Sequence, residues 1–228
     1  MAGALTIISS MATRHALAEC VTSFKVETGR DVDLVSIGGV DAAKRIRAGE
    51  AFDVVVLAMD ALQKLAAEGF VAAGSLTVFA RSPTAVAVRS GAPRPSKIDP
   101  GSIRTLIASA RSIGISSGPS GVAIRRLIEG WGLGAEAGPR IVEARPGHPV
   151  ARLIAGGDAD IGFQQLSELT GEAGIDVIAT LPKDFVPLTE FAVARLAASR
   201  NDEADLLIRH LLSDRAHAAL ARYGLQSP

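Results

Sequence analysis

Four short stretches of this sequence combine hydroxyl side chains, amides and glycine at points where strand-like runs give way to helix-like ones. They are Ser9-Ser10-Met11-Ala12, Ser36-Ile37-Gly38-Gly39-Val40-Asp41, Ser116-Ser117-Gly118-Pro119-Ser120-Gly121, and Gly147-His148 taken together with Gln164-Gln165. Hydroxyls, carboxamides and the amides that glycine leaves accessible are neutral hydrogen-bond donors. A helix start adds the positive end of its dipole, about 0.3–1 kcal/mol per terminus. Such a set suits a small anion. Each stretch also has a plainer interpretation. A serine ahead of a helix caps it, Gly38-Gly39 makes a tight turn, and His148, between a glycine and a proline, reads equally well as a solvated surface residue. Arg14-His15 in a first helical turn, and Lys44-Arg45 and Arg125-Arg126 on polar helix faces, read as exposed side chains.

Other chemistries find little support. No His/Cys/carboxylate cluster has the spacing of a transition-metal site. Nor is there a pair of carboxylates, a Ser-His-Asp order or a phosphate-cradling loop. The expectation is therefore a protein with no metal and no cofactor. The single cysteine, Cys20, excludes an intramolecular disulfide; it falls on the apolar stripe Leu17-Cys20-Val21-Phe24 and reads as a buried structural thiol. The 24 basic and 24 acidic residues cancel, so no global field draws in nucleic acid or an anionic membrane. No apolar run approaches the ~18 residues of a membrane span. The start, "MAGALTIISS", has no basic segment and no cleavage site. Localisation is expected to be periplasmic if a leader was removed and cytoplasmic if Met1 is the native start.

The elements that would position these loops alternate. At 228 residues, 48% of them hydrophobic, the chain makes one large domain or two small lobes. Strands are expected at 4–10, 31–37 and 53–58, with helices at 13–28 (stopped by Gly29), from a cap at Asp41 through Ile46, and from Asp60 to Glu68. Two β-rich pieces broken by Ser82-Pro83 follow. A second series then begins, with helices at 102–110, 120–131 and 148–155 and strands at 112–116, 140–144, 159–164 and 175–180. After "TEFAVARL", helices at 202–212 and 214–222 close the chain. Alternation of this kind predicts mainly parallel, doubly wound α/β sheets. The two β-rich crossings predict two lobes, 1–80 plus 193–228 and 81–192, joined by a two-strand hinge with a ligand cleft between them.

In order and spacing, the pieces "IISSMA", "FKVETGRDVDLVSIGG", "AAKRIRAGEAFDVVVLA", "VARLIAGGDADIGFQQLSEL", "IDVIATLP" and "LLSDRAHAALARYGL" resemble the periplasmic molybdate-binding proteins of ABC importers. These belong to the type II periplasmic binding protein fold, and the resemblance covers nearly the whole chain. It implies a family serine at Ser10, which is present, and another at about Gly39, which is not. A backbone donor falls at Ser120 after Pro119, a fourth-loop position near Gly147, and the family's tyrosine at Gln165. With two side-chain donors replaced, Gly39 opening space, and His148 and Gln165 adding donors farther out, the pattern suits a larger anion such as a small carboxylate.

The expected function is thus a solute-binding protein whose ligand set is Ser9, Ser10, Gly38, Gly39, Val40, Ser117, Ser120, Gly121, Gly147, His148, Gln164 and Gln165. Its expected partners are a small anion and the membrane subunits of an ABC importer, with no nucleic acid, and the chain is expected to be a monomer. Aconitate isomerase is similar to the same family, so the alternative is an isomerase that moves a C=C bond in a polycarboxylate. Its acid/base candidates would be Ser10, His15 and His148. A regulator's ligand-binding domain shares the fold, but the chain has neither the length for a helix-turn-helix nor a basic patch.

Overall fold

The computed structural model describes residues 4–228; Met1, on which the question of the native start turns, lies outside them. The chain begins with β1 (Leu5–Ser10), a 3-10 turn (Met11–Thr13), α1 (Arg14–Thr28), β2 (Val32–Ile37), α2 (Gly39–Arg47), β3 (Val54–Ala58), α3 (Met59–Ala67) and β4 (Thr77–Ser82). Next come β5 (Thr84–Arg89), α4 (Pro100–Ser109), β6 (Ile113–Ile115), α5 (Pro119–Gly130) and the short α6 (Gly134–Ala137). A 3-10 turn (Gly138–Arg140), β7 (Ile141–Glu143), α7 (Val150–Gly156), β8 (Ile161–Gln165), α8 (Leu166–Leu169) and β9 (Ile175–Thr180) follow. The last elements are β10 (Thr189–Arg195), α9 (Ala204–Leu211) and α10 (Asp214–Arg222).

These elements form two compact α/β units. The first takes the chain up to Ser82 and from Glu190 onward, and the second is Pro83–Thr189. Its five strands give the first unit the order β2-β1-β3-β10-β4. Strand β1 pairs in parallel with β2 and β3, while β10 runs antiparallel to β3. The second sheet has the order β7-β6-β8-β5-β9, with β6 parallel to β7 and β8 and with β5 antiparallel to both β8 and β9. The expected mainly parallel sheets are therefore mixed. The reason is topological: β5 and β10 enter their sheets directly from the two crossings of the chain, without the helical crossover that a parallel neighbour requires.

In the first unit, β3 shows why the chain folds this way. All five of its residues are buried, and successive side chains serve opposite faces. Val54 and Val56 join Leu5, Ile7, Leu17, Phe24, Leu207 and Leu220 in a core beneath α1, α9 and α10. Val55 and Leu57 join Ile8, Ile46, Leu62 and Leu65 beneath α2 and α3. An uninterrupted apolar strand is thus a strand covered on both sides. Cys20 lies in the first of these cores at 1% exposure, and burial pushes its thiol up to about 11. The folded protein is accordingly expected to resist iodoacetamide at pH 8, with alkylation only once urea unfolds the chain; equal rates in the two states would contradict this burial.

Helix boundaries follow local chemistry. Gly29 adopts φ 72° and ends α1, its amide donating to the Lys25 carbonyl. The expected start of α2 at Asp41 is corrected: Gly38 is the cap, and Asp41 lies in the first turn, where its carboxylate faces the positive end of the dipole. Helix α4 begins at Pro100 because Asp99 Oδ1 accepts from the Ser102 amide at 2.9 Å while Ser102 Oγ accepts from the Asp99 amide at 2.9 Å. Ahead of β8, Asp160 accepts from the Arg111 amide at 2.9 Å, and the Arg111 guanidinium holds its carboxyl below the usual range.

Candidate functional site

In both sheets the first strand of the series is flanked by the next two, β2-β1-β3 and β7-β6-β8, so the chain reverses its winding direction beside β1 and beside β6. Ligands of open α/β sheets bind beyond the strand ends at such reversals. Each unit carries an unusual polar group at that place.

In the first unit, β1 ends on Ser9 and Ser10, which point to opposite faces. Ser9 Oγ lies 2.8 Å from Ser36 Oγ, its register partner on β2, and so braces the two strands. Ser10 is 8% exposed and its Oγ has no partner among the described residues. Thr13 Oγ1 donates to the Ser10 carbonyl at 3.2 Å and fixes the turn that follows. Gly39 is the immediate neighbour: a Cβ on it would lie 3.9 Å from Ser10 Cβ. There α2 begins, and its first intrahelical bond runs from the Ala42 amide to the Gly38 carbonyl at 2.9 Å. By helix geometry the amides of Gly39, Val40 and Asp41 have no intrahelical acceptor. A buried hydroxyl and the positive end of a nine-residue helix thus stand side by side.

In the second unit, β6 leads into the serine- and glycine-rich turn before α5. Ser116 Oγ accepts from the Gly118 amide at 3.3 Å and the Gly121 amide at 3.2 Å, and it lies 2.8 Å from Ser120 Oγ. The Ser116 hydroxyl is therefore engaged with the first turn of the helix, and the Ser120 hydroxyl is engaged with Ser116. Gly121 is dictated by packing, since a Cβ there would fall 1.7 Å from the Ser116 carbonyl oxygen. Of the first donors in α5, Pro119 has none, Gly121 serves Ser116, and the Val122 amide reaches the Gly118 carbonyl at 3.2 Å. The Ser120 amide, at the second helical position, has no intrahelical acceptor. Ser117, half-buried, precedes this start.

Strand β8 ends on Gln164 and Gln165, again on opposite faces. Both ends of the Gln164 carboxamide are engaged: Oε1 accepts from the Val150 amide at 2.7 Å, and Nε2 donates to Glu168 Oε1 at 2.8 Å. It caps α7, which begins at Val150 and not at 148. Gly147, at φ 75°, and the exposed His148 form the turn before it, with His148 Nδ1 3.3 Å from the Pro146 carbonyl. Gln165 Nε2 donates to Thr189 Oγ1 at 2.6 Å, which leaves a buried Oε1 with no partner. Thr84 Oγ1 and Ser167 Oγ share that condition.

Ser10, Thr84, Gln165 and Ser167 hold the buried side-chain polar atoms that lack a partner among the described residues. Buried polar groups are otherwise satisfied as a rule. Ser10 and Gln165 end strands β1 and β8, Thr84 is the cross-strand partner of Gln165, and Ser167 lies in the short helix α8 that follows β8. The sequence offers no signal for Thr84, Ser167 or Thr189, because their surroundings depend on residues distant in the chain or on the fold around them. His15 is placed differently: it is exposed on α1, accepts from Arg14 Nε at 2.9 Å through Nε2, and stacks on Tyr223 with ring centroids 5.8 Å apart. Among the described residues no group of three His, Cys, Asp or Glu stands together as a metal site, and no helix is long and apolar enough to cross a membrane.

The family described as bacterial extracellular solute-binding protein matches residues 5–226. Aconitate isomerase from Pseudomonas sp is 32% identical, over 97% of this chain and 87% of that protein. The molybdate-binding protein ModA of Escherichia coli (strain K12) is 23% identical, over 97% of this chain and 88% of its own length. Among solved structures, the periplasmic molybdate-binding protein of Azotobacter vinelandii superposes with a TM-score of 0.83 at 22% identity, covering 98% of this chain and 99% of that one. The two-unit fold is therefore of the type II periplasmic binding protein kind.

Proposed function

The chain belongs to the bacterial extracellular solute-binding protein family, and we propose that it holds a small oxyanion or carboxylate with neutral hydrogen-bond donors. One observation carries this proposal. The Ser10 hydroxyl is buried without a partner next to the open amides that begin α2. Leaving such a hydroxyl unpaired costs about 1–3 kcal/mol, and an acceptor supplied by a ligand removes that cost. Hydroxyl and amides together offer an anion three kinds of help: hydrogen bonds, a helix dipole and a site screened from water.

In this proposal the candidate donors are Ser10 and the amides of Gly39 and Val40 in the first unit and the Ser120 amide in the second; Gln165, expected to add a donor, is not among them, because its Nε2 is committed to Thr189 Oγ1 and only its acceptor Oε1 is free. Ser9, Gly121 and Gln164 hold the loops in shape. Gly39 supports a ligand larger than molybdate. Resemblance to the molybdate-binding proteins implies a serine there, whereas glycine omits that side chain, at a place where a Cβ would be in ordinary contact with Ser10 and Leu57 at 3.9 and 4.0 Å. The protein would work as a monomer in the periplasm and deliver its ligand to the membrane subunits of an ABC importer.

A second proposal is favoured by a specific observation, the 32% identity to aconitate isomerase. Such an enzyme takes a proton from one carbon and returns one to another, so that a C=C bond moves and no atoms are gained or lost. Of the three candidate acid/base residues, Ser10 is buried at a strand end, while His15 and His148 are exposed.

A thermal-shift panel of molybdate, tungstate, sulfate, citrate, cis-aconitate and trans-aconitate tests both. A ligand at a hundred times its Kd is expected to add about 2.7 kcal/mol of stability and raise the melting temperature accordingly. No shift with any anion would remove both proposals. Interconversion of the aconitates, followed by absorbance, would decide for the enzyme.

A further inference from the structure

Two peptide links join the compact units, Ser82–Pro83 and Thr189–Glu190. Beside each link, residues are fastened within their own unit. On the first-unit side, Arg81 pairs in both directions with Gln226, its amide donating to that carbonyl at 2.8 Å and its carbonyl accepting from that amide at 2.7 Å. Arg81 Nε also donates to Glu190 Oε1 at 3.0 Å, so the two crossings are tied together there. On the second-unit side, both fastenings come from consecutive residues where β8 meets α8. The Leu166 amide donates to the Pro83 carbonyl at 2.9 Å, and Gln165 Nε2 donates to Thr189 Oγ1 at 2.6 Å.

The two crossings are not held equally. Past Pro83 the chain enters β5, which is laddered to β8 on one side and to β9 on the other. That link is also stiff, because the proline ring fixes φ of Pro83 and crowds Ser82 into extended backbone. The second crossing differs. Strand β10 starts at Thr189, but both of its sheet neighbours, β3 and β4, belong to the first unit. Thr189 is fastened to the second unit through its side chain, and no ring restricts ψ of Thr189 or φ of Glu190. Hinges are a few loop or element-terminal residues that absorb changes in φ and ψ. We propose that Thr189–Glu190 is the pivot between the units, and that Gln165 is a positioning residue that holds one side of it while Arg81 holds the other. The carboxamide keeps the bend confined to one peptide link. This inference needs no ligand and is independent of the anion proposal.

Pulsed dipolar EPR tests it, with spin labels on Val26→Cys and Ala108→Cys, exposed positions on α1 and α4, reading the spread of distances between the units. Cys20 is buried and stays unlabelled. With no anion added, Thr189→Val and Gln165→Leu should each broaden the distance distribution about twofold, and the double variant should broaden it no further, since both changes remove the same bond. Thr189→Ser, which keeps the hydroxyl, should retain the parent width. The melting temperature of each variant reports its folding, and Thr189→Val carries the test if Gln165→Leu fails to fold. A merely structural Gln165 would lower the melting temperature and leave the width unmoved. That outcome, a parental width in Thr189→Val, or equal broadening by Thr189→Ser and Thr189→Val would overturn the inference and leave the anion proposal standing. Widths as expected in a protein that binds no anion would overturn the anion proposal alone.

Discussion

Gly121→Ala is expected to destabilise the protein by about 3 kcal/mol and to impair ligand binding with it. The added Cβ would lie 1.7 Å from the Ser116 carbonyl oxygen and 2.8 Å from its carbon. These are backbone atoms, which cannot swing aside as the end of a side chain can. To accommodate the methyl group, the start of α5 must lift away from the end of β6. That movement breaks the 3.2 Å bond from the Gly121 amide to Ser116 Oγ and displaces the adjacent Ser120 amide. Urea denaturation followed by circular dichroism measures the effect. Gly118→Ala is the control, because its Cβ would meet only Ser116 Oγ, at 3.7 Å, and its backbone is extended. If the two variants were equally stable, the close approach of α5 to Ser116 would be disproved.

Ser10→Ala is expected to move affinity and stability in opposite directions. The substitution removes a buried hydroxyl that has no partner, so the free protein should melt no lower than the wild type and can melt higher. Anion binding should weaken by about 1–3 kcal/mol, roughly five- to a hundred-and-fiftyfold. Titration with the anion that gives the largest thermal shift measures the loss. Lower stability with unchanged affinity would be the reverse result and would remove Ser10 from the ligand set.

The sequence made some parts of this molecule plain and hid others, for identifiable reasons. The run at Val54–Ala58 could only be a strand covered on both faces, and the stripe through Leu17, Cys20 and Phe24 could only be the inner face of a helix. Both patterns are one-dimensional records of burial. Helix starts were harder. Asp41 offers a carboxylate suited to capping, yet Gly38 takes that position, and Asp99 with Ser102 begins α4 two residues ahead of the periodic pattern. The four-residue helices α6 and α8 are too short to show any period.

Among the candidate ligand groups, position was legible and destination was not. Ser9 and Ser10 are adjacent and chemically identical, but strand alternation sends one to Ser36 and leaves the other bare. Gln164 and Gln165 divide in the same way, one bracing Val150 and Glu168 and the other keeping a free oxygen. Which member of each pair faced which side could not be read until the neighbouring strands were in place.

The late arrival of β10 has a further consequence for the order in which the molecule matures. Ala58 pairs with Phe191, whereas the pairings of the second sheet all fall between Thr84 and Thr180. A ribosome therefore delivers every strand of the second sheet before it has delivered the one that the first still needs. Nascent chains commonly consolidate from the N-terminus forward; here the middle is complete first. Until Phe191–Arg195 emerges, Val54–Ala58 remains a bare, wholly apolar edge, the kind of surface on which unfinished chains stick to one another.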